Sequence, residues 1–382
     1  TEVDNELWLQ IDPVGVHFDS RAPSGLERIL STSPLQDSNI LKAAEGAIAR
    51  ITHLHLSKYN IHDPDLPSPD PGYVLVVDQT RGDASIRHGG ASAETFRKML
   101  AAALRDNPDD RIVIRSHPET GLGLRPGHFS PADAGGRVSL LSAPVSPHRL
   151  LAAAAAVYTV SSQLGFEAIL HGHRPHVFGQ PFYAGWGLTV DAAALPRRNR
   201  LLTPAQLFAG AMILAPTWYD PCRDRLCGLD EVIDQLEAEA RAFRADRQGH
   251  VAAGMRLWKR PRLQAFFGAT RPLRFRDDPE EADALARRTG RTLLIWAGRE
   301  PERFQPNSRC LRVEDGFLRS RGLGAELVPP LSLVTDDRGI YYDPSRPSQL
   351  EALVAAPLPP AGRDRAGRLI ARLRAEGLSK YN

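Results

Sequence analysis

Residues 158–191 read YTVSSQLGFEAILHGHRPHVFGQPFYAGWGLTVD, and this stretch decides the fold of the chain. It opens with an apolar run typical of a strand. A segment with helical character follows, from Leu164 to His171, and Gly172 closes it. The apolar HVFG then predicts a second strand. A strand, a helix and a strand in this order indicate an α/β sheet with parallel strands.

Small hydroxyl groups stand where the first of these strands ends. Ser161, Ser162 and Gln163 lie between that strand and the helix, a position at which free N–H groups and the helix dipole favour a phosphate. Glu167, inside the helix, is placed to hold ribose hydroxyls, and three aromatic residues with two glycines follow in QPFYAGWGL. The pattern predicts a nucleotide-sugar pocket. The alternatives are a serine turn and a surface carboxylate.

The same stretch resembles the KpsC/LipB family of bacterial capsule polysaccharide proteins. VSSQLGFEA, VFGQPFYAGWGLT and the segments quoted below agree with it in order and spacing, over nearly the full chain. The resemblance implies β-Kdo transferases that use CMP-Kdo. It also implies a GT-B-like α/β fold, with Rossmann-type doubly wound parallel sheets and a helical connector.

Composition narrows the classes of protein that fit. The chain has 382 residues, enough for two or three domains, and a net charge of only +3, which argues against a dedicated nucleic-acid binder. Three scattered cysteines favour a reduced, cytosolic protein. TEVDNELWLQ, at the start, lacks the apolar core of a secretory signal, and LLAAAAAVYTV is too short to cross a bilayer.

The chain contains an internal repeat. GVHFDSRAPSGLE begins at residue 15 and GIYYDPSRPSQLE at residue 339, and each is followed by a helical pattern that ends in SKYN, at 57–60 and 379–382. This spacing indicates a repeated two-domain module. The resemblance implies four parts: the end of the acceptor half-domain of module one (1–60), its donor half-domain (61–227), a helical connector (228–290) and the acceptor half-domain of module two (291–382).

Within these parts, alternating patterns predict individual elements. Strands are expected at 73–78, 110–115, 138–141, 157–160 and 291–298, and helices at 93–105 and 150–156.

Three residues near predicted strand ends are candidates for the chemistry. Asp83, in QTRGDAS, is the candidate nucleophile if the reaction retains configuration, as the resemblance implies. His117, in RSHPE, is the candidate partner of the leaving phosphate, and Arg115 could share that role. The alternatives are an Asp that caps a turn or helix, a structural His and a solvated Arg.

Two further groups of candidates carry charge. Arg197 and Arg198, in PRRNR, suit a sugar carboxylate or a phosphate, although a solvated charge run is equally compatible. In EDGFLRSRGLGA, the resemblance makes Asp315 a base toward the acceptor hydroxyl, with Glu314 and Arg319 on the acceptor side of module two. The alternative is a turn with a salt bridge. Neither a metal nor a cofactor is expected, and CMP-Kdo is the expected donor substrate.

The leading hypothesis is a retaining glycosyltransferase that moves Kdo from CMP-Kdo onto a Kdo-terminated, lipid-linked acceptor during capsule assembly. It implies a peripheral position at the cytoplasmic face of the inner membrane, with the export machinery as a further partner. The alternatives are a non-catalytic assembly scaffold and a GT-B enzyme that uses another nucleotide sugar. Because neither module is complete on this reading, the chain is either a fragment with a donor pocket or a permuted cleft.

Overall fold

The computed structural model of the protein describes residues 8–9, 11–193 and 195–382. The expectation about a secretory signal falls largely on residues outside this set. Two compact units are present, residues 1–240 and residues 241–382, and each is described here by itself. In the part of the chain that the structure describes, no helix combines the length and the apolar character needed to span a membrane.

Unit 1, residues 1–240, contains a six-stranded sheet and a three-stranded sheet. All neighbouring strands of the larger sheet are parallel, in the order β4-β3-β2-β5-β6-β7, and the smaller sheet has the order β1-β8-β9. The strands are β1 Trp8–Leu9, β2 Tyr73–Val77, β3 Ile112–Arg115, β4 Val138–Leu141, β5 Ala154–Thr159, β6 His176–Val177, β7 Val190–Asp191, β8 Thr217–Asp220 and β9 Arg225–Cys227.

The helices of unit 1 connect these strands and cover both faces of the larger sheet. They are α1 Gly25–Thr32, α2 Ser38–His53, α3 Ala84–His88, α4 Ala93–Asp106, α5 Pro118–Gly121, α6 Pro147–Ala153, α7 Gln163–Leu170 and α8 Pro204–Phe208, with α9 Leu229–Asp246 across the division between the units. A 3-10 turn, Pro131–Asp133, and a π-helical segment, Ala209–Leu214, complete the set.

Burial of β2 on both faces explains why its sequence is continuously apolar. Val74 and Val76 pack with Phe96 of α4 in one cluster, whereas Leu75 and Val77 belong to a second cluster on the other face, with residues of α6 and α7. Strands of a parallel sheet that is covered on both sides lose the polar alternation of a half-exposed strand. The sheet is therefore doubly wound, as the sequence predicted.

Unit 2, residues 241–382, has one five-stranded sheet in the order β11-β10-β12-β13-β14. Its strands are β10 His250–Ala253, β11 Arg274–Arg276, β12 Thr292–Trp296, β13 Cys310–Asp315 and β14 Leu333–Asp336. Its helices are α10 Arg260–Phe267, α11 Pro279–Thr289, α12 Gln349–Ala355 and α13 Gly362–Ala375, with 3-10 turns at Leu257–Lys259, Ala297–Arg299 and Gly324–Glu326.

Two features of unit 2 differ from the sequence-based expectation. The segment 228–290 is not helical throughout, because β10 and β11 lie in it and pair in parallel within the sheet. The edge strand β14 runs antiparallel to β13, so this sheet is mixed. The helical sequence patterns of α9, α10 and α11 dominate this segment, so the sequence does not predict the two short strands between these helices. The assignment of the four segments to half-domains of two modules remains a prediction.

Candidate functional site

The carboxyl ends of the parallel strands in unit 1 form the edge at which the candidate residues gather. Counted along the chain from β2, the sheet has the order 3-2-1-4-5-6, and the order reverses between β2 and β5. Loops on either side of such a reversal leave a crevice in which open α/β sheets bind ligands. The loop after β2 carries Asp83, the loop after β3 carries His117, and the loop after β5 carries Ser161 and Ser162.

A buried glutamine joins the two loops across this crevice. Gln79 Oε1 accepts a hydrogen bond from the backbone N–H of Ser161 at 3.0 Å, and Gln79 Nε2 donates to Ser161 Oγ at 3.1 Å. The hydroxyl of Ser85 lies 3.4 Å from that of Ser161. The backbone N–H and the hydroxyl of Ser161, in the loop that is predicted to bind phosphate, are thus held by a side chain that follows β2.

Asp83 is the N-cap residue of the short helix α3. Its Oδ1 accepts a hydrogen bond from the backbone N–H of Ser85 at 2.8 Å, as expected for a capping aspartate. The carboxylate is half-buried and lies close enough to His117 to act on it electrostatically. The cap fixes the direction of the side chain, so the structural role and the predicted nucleophilic role are compatible.

His117 caps the next helix, α5. Its Nδ1 accepts a hydrogen bond from the backbone N–H of Glu119 at 3.2 Å, which leaves the proton of the neutral ring on Nε2. Burial lowers the pKa of His117, with Glu119 and Asp83 acting in the opposite direction. A neutral ring with Nε2–H available can donate a hydrogen bond to an anionic oxygen.

The other residues predicted to contact the donor lie around the same edge. Arg115, at the end of β3, is buried, donates from Nη1 to the carbonyl of Ala143 at 2.9 Å, and has its pKa lowered by burial to about 10. Ser162 is the N-cap residue of α7 and accepts from the backbone N–H of Leu164 at 3.2 Å. Gln163 is the first residue of α7 and is partly exposed.

Glu167 is buried, whereas one of the two sequence-based alternatives made it a surface carboxylate. It is only 5% exposed, and its Oε1 accepts a hydrogen bond at 2.7 Å from Ser57, the first residue of the first SKYN motif. Burial raises the pKa of Glu167 to about 7, against hydrogen bonds from the Ser57 hydroxyl and the Lys58 backbone. The surface-carboxylate alternative is therefore wrong. Its predicted contact with a ribose stays a prediction.

Arg197 and Arg198 already have a partner. Both guanidinium groups bind Glu27 of α1, with Arg198 Nη2 2.9 Å from Glu27 Oε2. Arg198 also donates to the carbonyl of Ala184 at 3.0 Å and is nearly fully buried. The solvated-run alternative does not fit these two residues. Their predicted contact with a sugar carboxylate stays a prediction, and it would compete with Glu27.

The EDG motif lies in unit 2, at the end of β13. Arg319 is 1% exposed and donates from Nε to Asp315 Oδ2 at 2.8 Å. Burial raises the pKa of Glu314, and the Lys259 ammonium, which lies over the ring of Trp296, favours its ionised form. The predicted turn with a salt bridge is thus present. Glu314 and Asp315 form an acidic pair at the end of β13, and Lys259 is the cation beside them.

The sequence of the chain matches a known family over most of its length. The model of the family described as "Capsule polysaccharide biosynthesis protein" matches residues 33–216 and 304–381. The chain belongs to this family. The resemblance noted from the sequence is therefore confirmed at the level of the family.

Curated proteins with similar sequences support the same family assignment. The capsule polysaccharide modification protein LipA of Neisseria meningitidis serogroup B is 38% identical over 363 residues, which cover 90% of this chain and 51% of LipA. The lipopolysaccharide-processing protein LpsZ of Rhizobium meliloti is 36% identical over 217 residues, 56% of this chain and 49% of LpsZ. The chain spans about half the length of the curated relatives it matches.

Among solved structures, the chain is similar to one titled Thermosulfurimonas dismutans KpsC, beta Kdo 2,4 transferase. The TM-score is 0.58 at 38% sequence identity, over 60% of this chain and 73% of that one. Together with the sheet order, this likeness confirms the predicted fold class, α/β with Rossmann-like sheets of the GT-B kind.

Sequence reasoning missed several residues at the crevice. Gln79 and Ser85 lie in the quoted segment around Asp83, but a single Gln or Ser carries no pattern. Lys58 and Tyr59 do have a signal, because SKYN occurs twice, but the repeat by itself indicates the length of a module and not a role for these two residues. The ring of Tyr59 meets that of His117 edge-on, with 5.6 Å between centroids.

Proposed function

We propose that the protein is a glycosyltransferase of capsule polysaccharide biosynthesis, which moves Kdo from CMP-Kdo onto a Kdo-terminated, lipid-linked acceptor with retention. One observation carries the proposal: Asp83, His117 and the Ser161–Ser162 loop meet at the strand-order reversal of a Rossmann-like sheet. The likeness to a structure titled as a β-Kdo transferase supports the sugar, and family membership supports the pathway.

The first step of this mechanism is the departure of CMP. A carboxylate oxygen of Asp83 attacks the anomeric carbon, the bond from that carbon to the phosphate oxygen breaks, and its electrons leave with CMP. His117 Nε2–H donates a hydrogen bond to the leaving phosphate. N–H groups at the start of α7, with the Ser161 hydroxyl, stabilise the charge that develops there.

In the second step an acceptor hydroxyl attacks the anomeric carbon from the face opposite to Asp83, its proton passes to water, and Asp83 leaves as a carboxylate. Two inversions give net retention. In unit 2, Asp315 is proposed to act as the base toward an acceptor hydroxyl, with Glu314 and Arg319 on the acceptor side and Arg319 holding the Asp315 carboxylate. No cofactor enters either step. The lipid-linked acceptor implies contact with the inner face of the inner membrane, near the export machinery.

The substitution Asp83→Asn tests the nucleophile. Asparagine caps a helix about as well as aspartate but carries no charge. The variant is expected to unfold at the same temperature as the wild type and to release no CMP from CMP-Kdo, with or without a Kdo-terminated lipid. Full activity in Asp83→Asn would contradict the mechanism.

The same assays separate the alternatives. Wild-type protein that binds CMP but neither hydrolyses nor transfers Kdo would favour the assembly scaffold. Calorimetric titration with CMP and UMP tests the donor, because uridine presents O4 where cytidine presents an amino group. Tighter binding of UMP would favour a different nucleotide sugar.

A further inference from the structure

The loop Ser57–Asn60, the first SKYN motif, has a defined shape. Asn60 Oδ1 accepts from the backbone N–H of Ser57 at 3.0 Å, and Asn60 Nδ2 donates to the Ser57 carbonyl at 2.8 Å. The hydroxyl of Ser57 is bound to buried Glu167. The loop is therefore closed by its own asparagine and anchored to α7, which limits the positions open to the two residues at its tip.

Those two residues are Lys58 and Tyr59. The Lys58 ammonium lies over the Tyr59 ring, 5.2 Å from the centroid, and the same ring meets the ring of His117 edge-on. Lys58 also lowers the pKa of both His117 and His17, after the effect of burial. An exposed ammonium thus stands beside the histidine at the end of β3.

The second SKYN motif provides an internal comparison. Ser379 and Asn382 make the same two hydrogen bonds, at 2.7 and 2.9 Å, and the Lys380 ammonium again lies over the following tyrosine, at 5.6 Å. Lys380 acts electrostatically on Glu314 of the EDG motif, so the lysine of this copy faces an acidic group of its own unit.

Lys58 has no such counter-charge. Among the residues that the structure describes, no carboxylate forms an ion pair with its ammonium. Glu167 accepts a hydrogen bond from the backbone N–H of Lys58, and the groups whose pKa the ammonium lowers are two histidines. Arg115 adds a further positive charge on the same side. A cation that is held by a fixed loop and makes no ion pair with a carboxylate of the protein is suited to bind an anion from outside the protein.

We propose that Lys58 is an anion-binding residue of the donor site, which holds a phosphate or carboxylate oxygen of the nucleotide sugar beside His117. The proposal rests on the proposed function, since it assigns a contact to the same substrate. Tyr59 positions this contact by packing against Lys58 and His117. Glu167 supports it indirectly, through the hydrogen bond that holds Ser57 at the start of the loop.

Calorimetric titration of the full chain with CMP, and separately with free Kdo, tests this contact. Lys58→Met is expected to weaken the binding of one of the two at least tenfold: CMP if the anion is the phosphate, Kdo if it is the carboxylate. Lys42→Met, which removes an exposed lysine from α2, is the matched control and should bind as the wild type does. Lys58→Arg should retain most of the affinity.

The outcomes are distinguishable. If the wild type binds and Lys58→Met binds both probes as tightly as Lys42→Met, the assignment of Lys58 is wrong while the proposed function stands. If the wild type binds neither probe, the proposed donor is wrong and the assignment falls with it. Unfolding temperatures of the variants show whether a loss of binding reflects a loss of fold.

Discussion

Gln79 Oε1 accepts a hydrogen bond from the backbone N–H of Ser161 across the point where the strand order of unit 1 reverses. Because Gln79 follows β2 and Ser161 follows β5, one amide side chain fixes the separation of the two loops. The Ser161 N–H is part of the loop that is proposed to bind phosphate. Its orientation therefore depends on a residue from another strand.

Replacing Gln79 tests this dependence. Gln79→Leu leaves the Ser161 N–H and hydroxyl without their buried partner, so we expect a loss of about 1–3 kcal/mol in the free energy of unfolding. We also expect weaker binding of CMP. Denaturant unfolding and calorimetry measure the two effects. Gln248→Leu, at an exposed glutamine, is the control, and equal behaviour of the two variants would contradict the prediction.

The ion pair between Glu27 and Arg198 predicts a large effect on stability. Both side chains are almost completely buried, so Glu27→Ala leaves Arg198 as an uncompensated charge. Loss of one partner of a buried pair costs about 3–5 kcal/mol. Thermal or denaturant unfolding gives the measurement. Glu94→Ala removes the exposed partner of Lys98, and should change stability by less than about 1 kcal/mol.

Glu167 predicts one direction of pH dependence. Burial raises its pKa from an ordinary value near 4.5 to about 7, so between these values the folded state holds a proton that the unfolded state has lost. The free energy of unfolding therefore falls as pH rises across this range, by about 3 kcal/mol. Glu167→Gln should flatten the profile of unfolding against pH, while Glu45→Gln, at an exposed site, should not.

His171 predicts the opposite slope in nearly the same range. Burial, together with His148 and His173, lowers the pKa of His171 to about 4, below its ordinary value of 6.5. The unfolded state then binds the extra proton between these values, and stability falls as pH falls. His171→Gln should remove this acid sensitivity, measured as the unfolding midpoint from pH 7 to pH 4. His53→Gln, at an exposed position, serves as the control, and an unchanged profile for His171→Gln would refute the assignment.

The sequence is most informative about the strands and loops near the crevice of unit 1. The strand at 138–141 is found at those residues, and the strand predicted at 73–78 is Tyr73–Val77. The helix predicted at 150–156 is instead Pro147–Ala153, and Ala154–Ala156 belong to β5. Alanine favours helices, but pairing with β2 in the buried sheet outweighs that preference here.

The hydrogen-bond and ion-pair partners of the site residues could not be predicted from the sequence. The sequence allows Asp83 to be a cap or a nucleophile, and the cap is present, but nothing in QTRGDAS shows that Gln79 reaches Ser161. Likewise PRRNR shows Arg197 and Arg198 but not the buried Glu27 that binds them, which lies far away along the chain. Contacts of this kind depend on how distant segments of the chain pack together, and a local sequence pattern does not predict that packing.

The cap formed by Asp83 has a consequence for how this position would behave in a saturation mutagenesis experiment. Selection for folded, abundant protein should tolerate Asn and Ser at position 83 nearly as well as Asp, because all three end a helix favourably. Selection for capsule production should accept Asp alone. The difference between the two enrichment maps at this codon would separate the contribution of Asp83 to the chemistry from its contribution as the N-cap of α3.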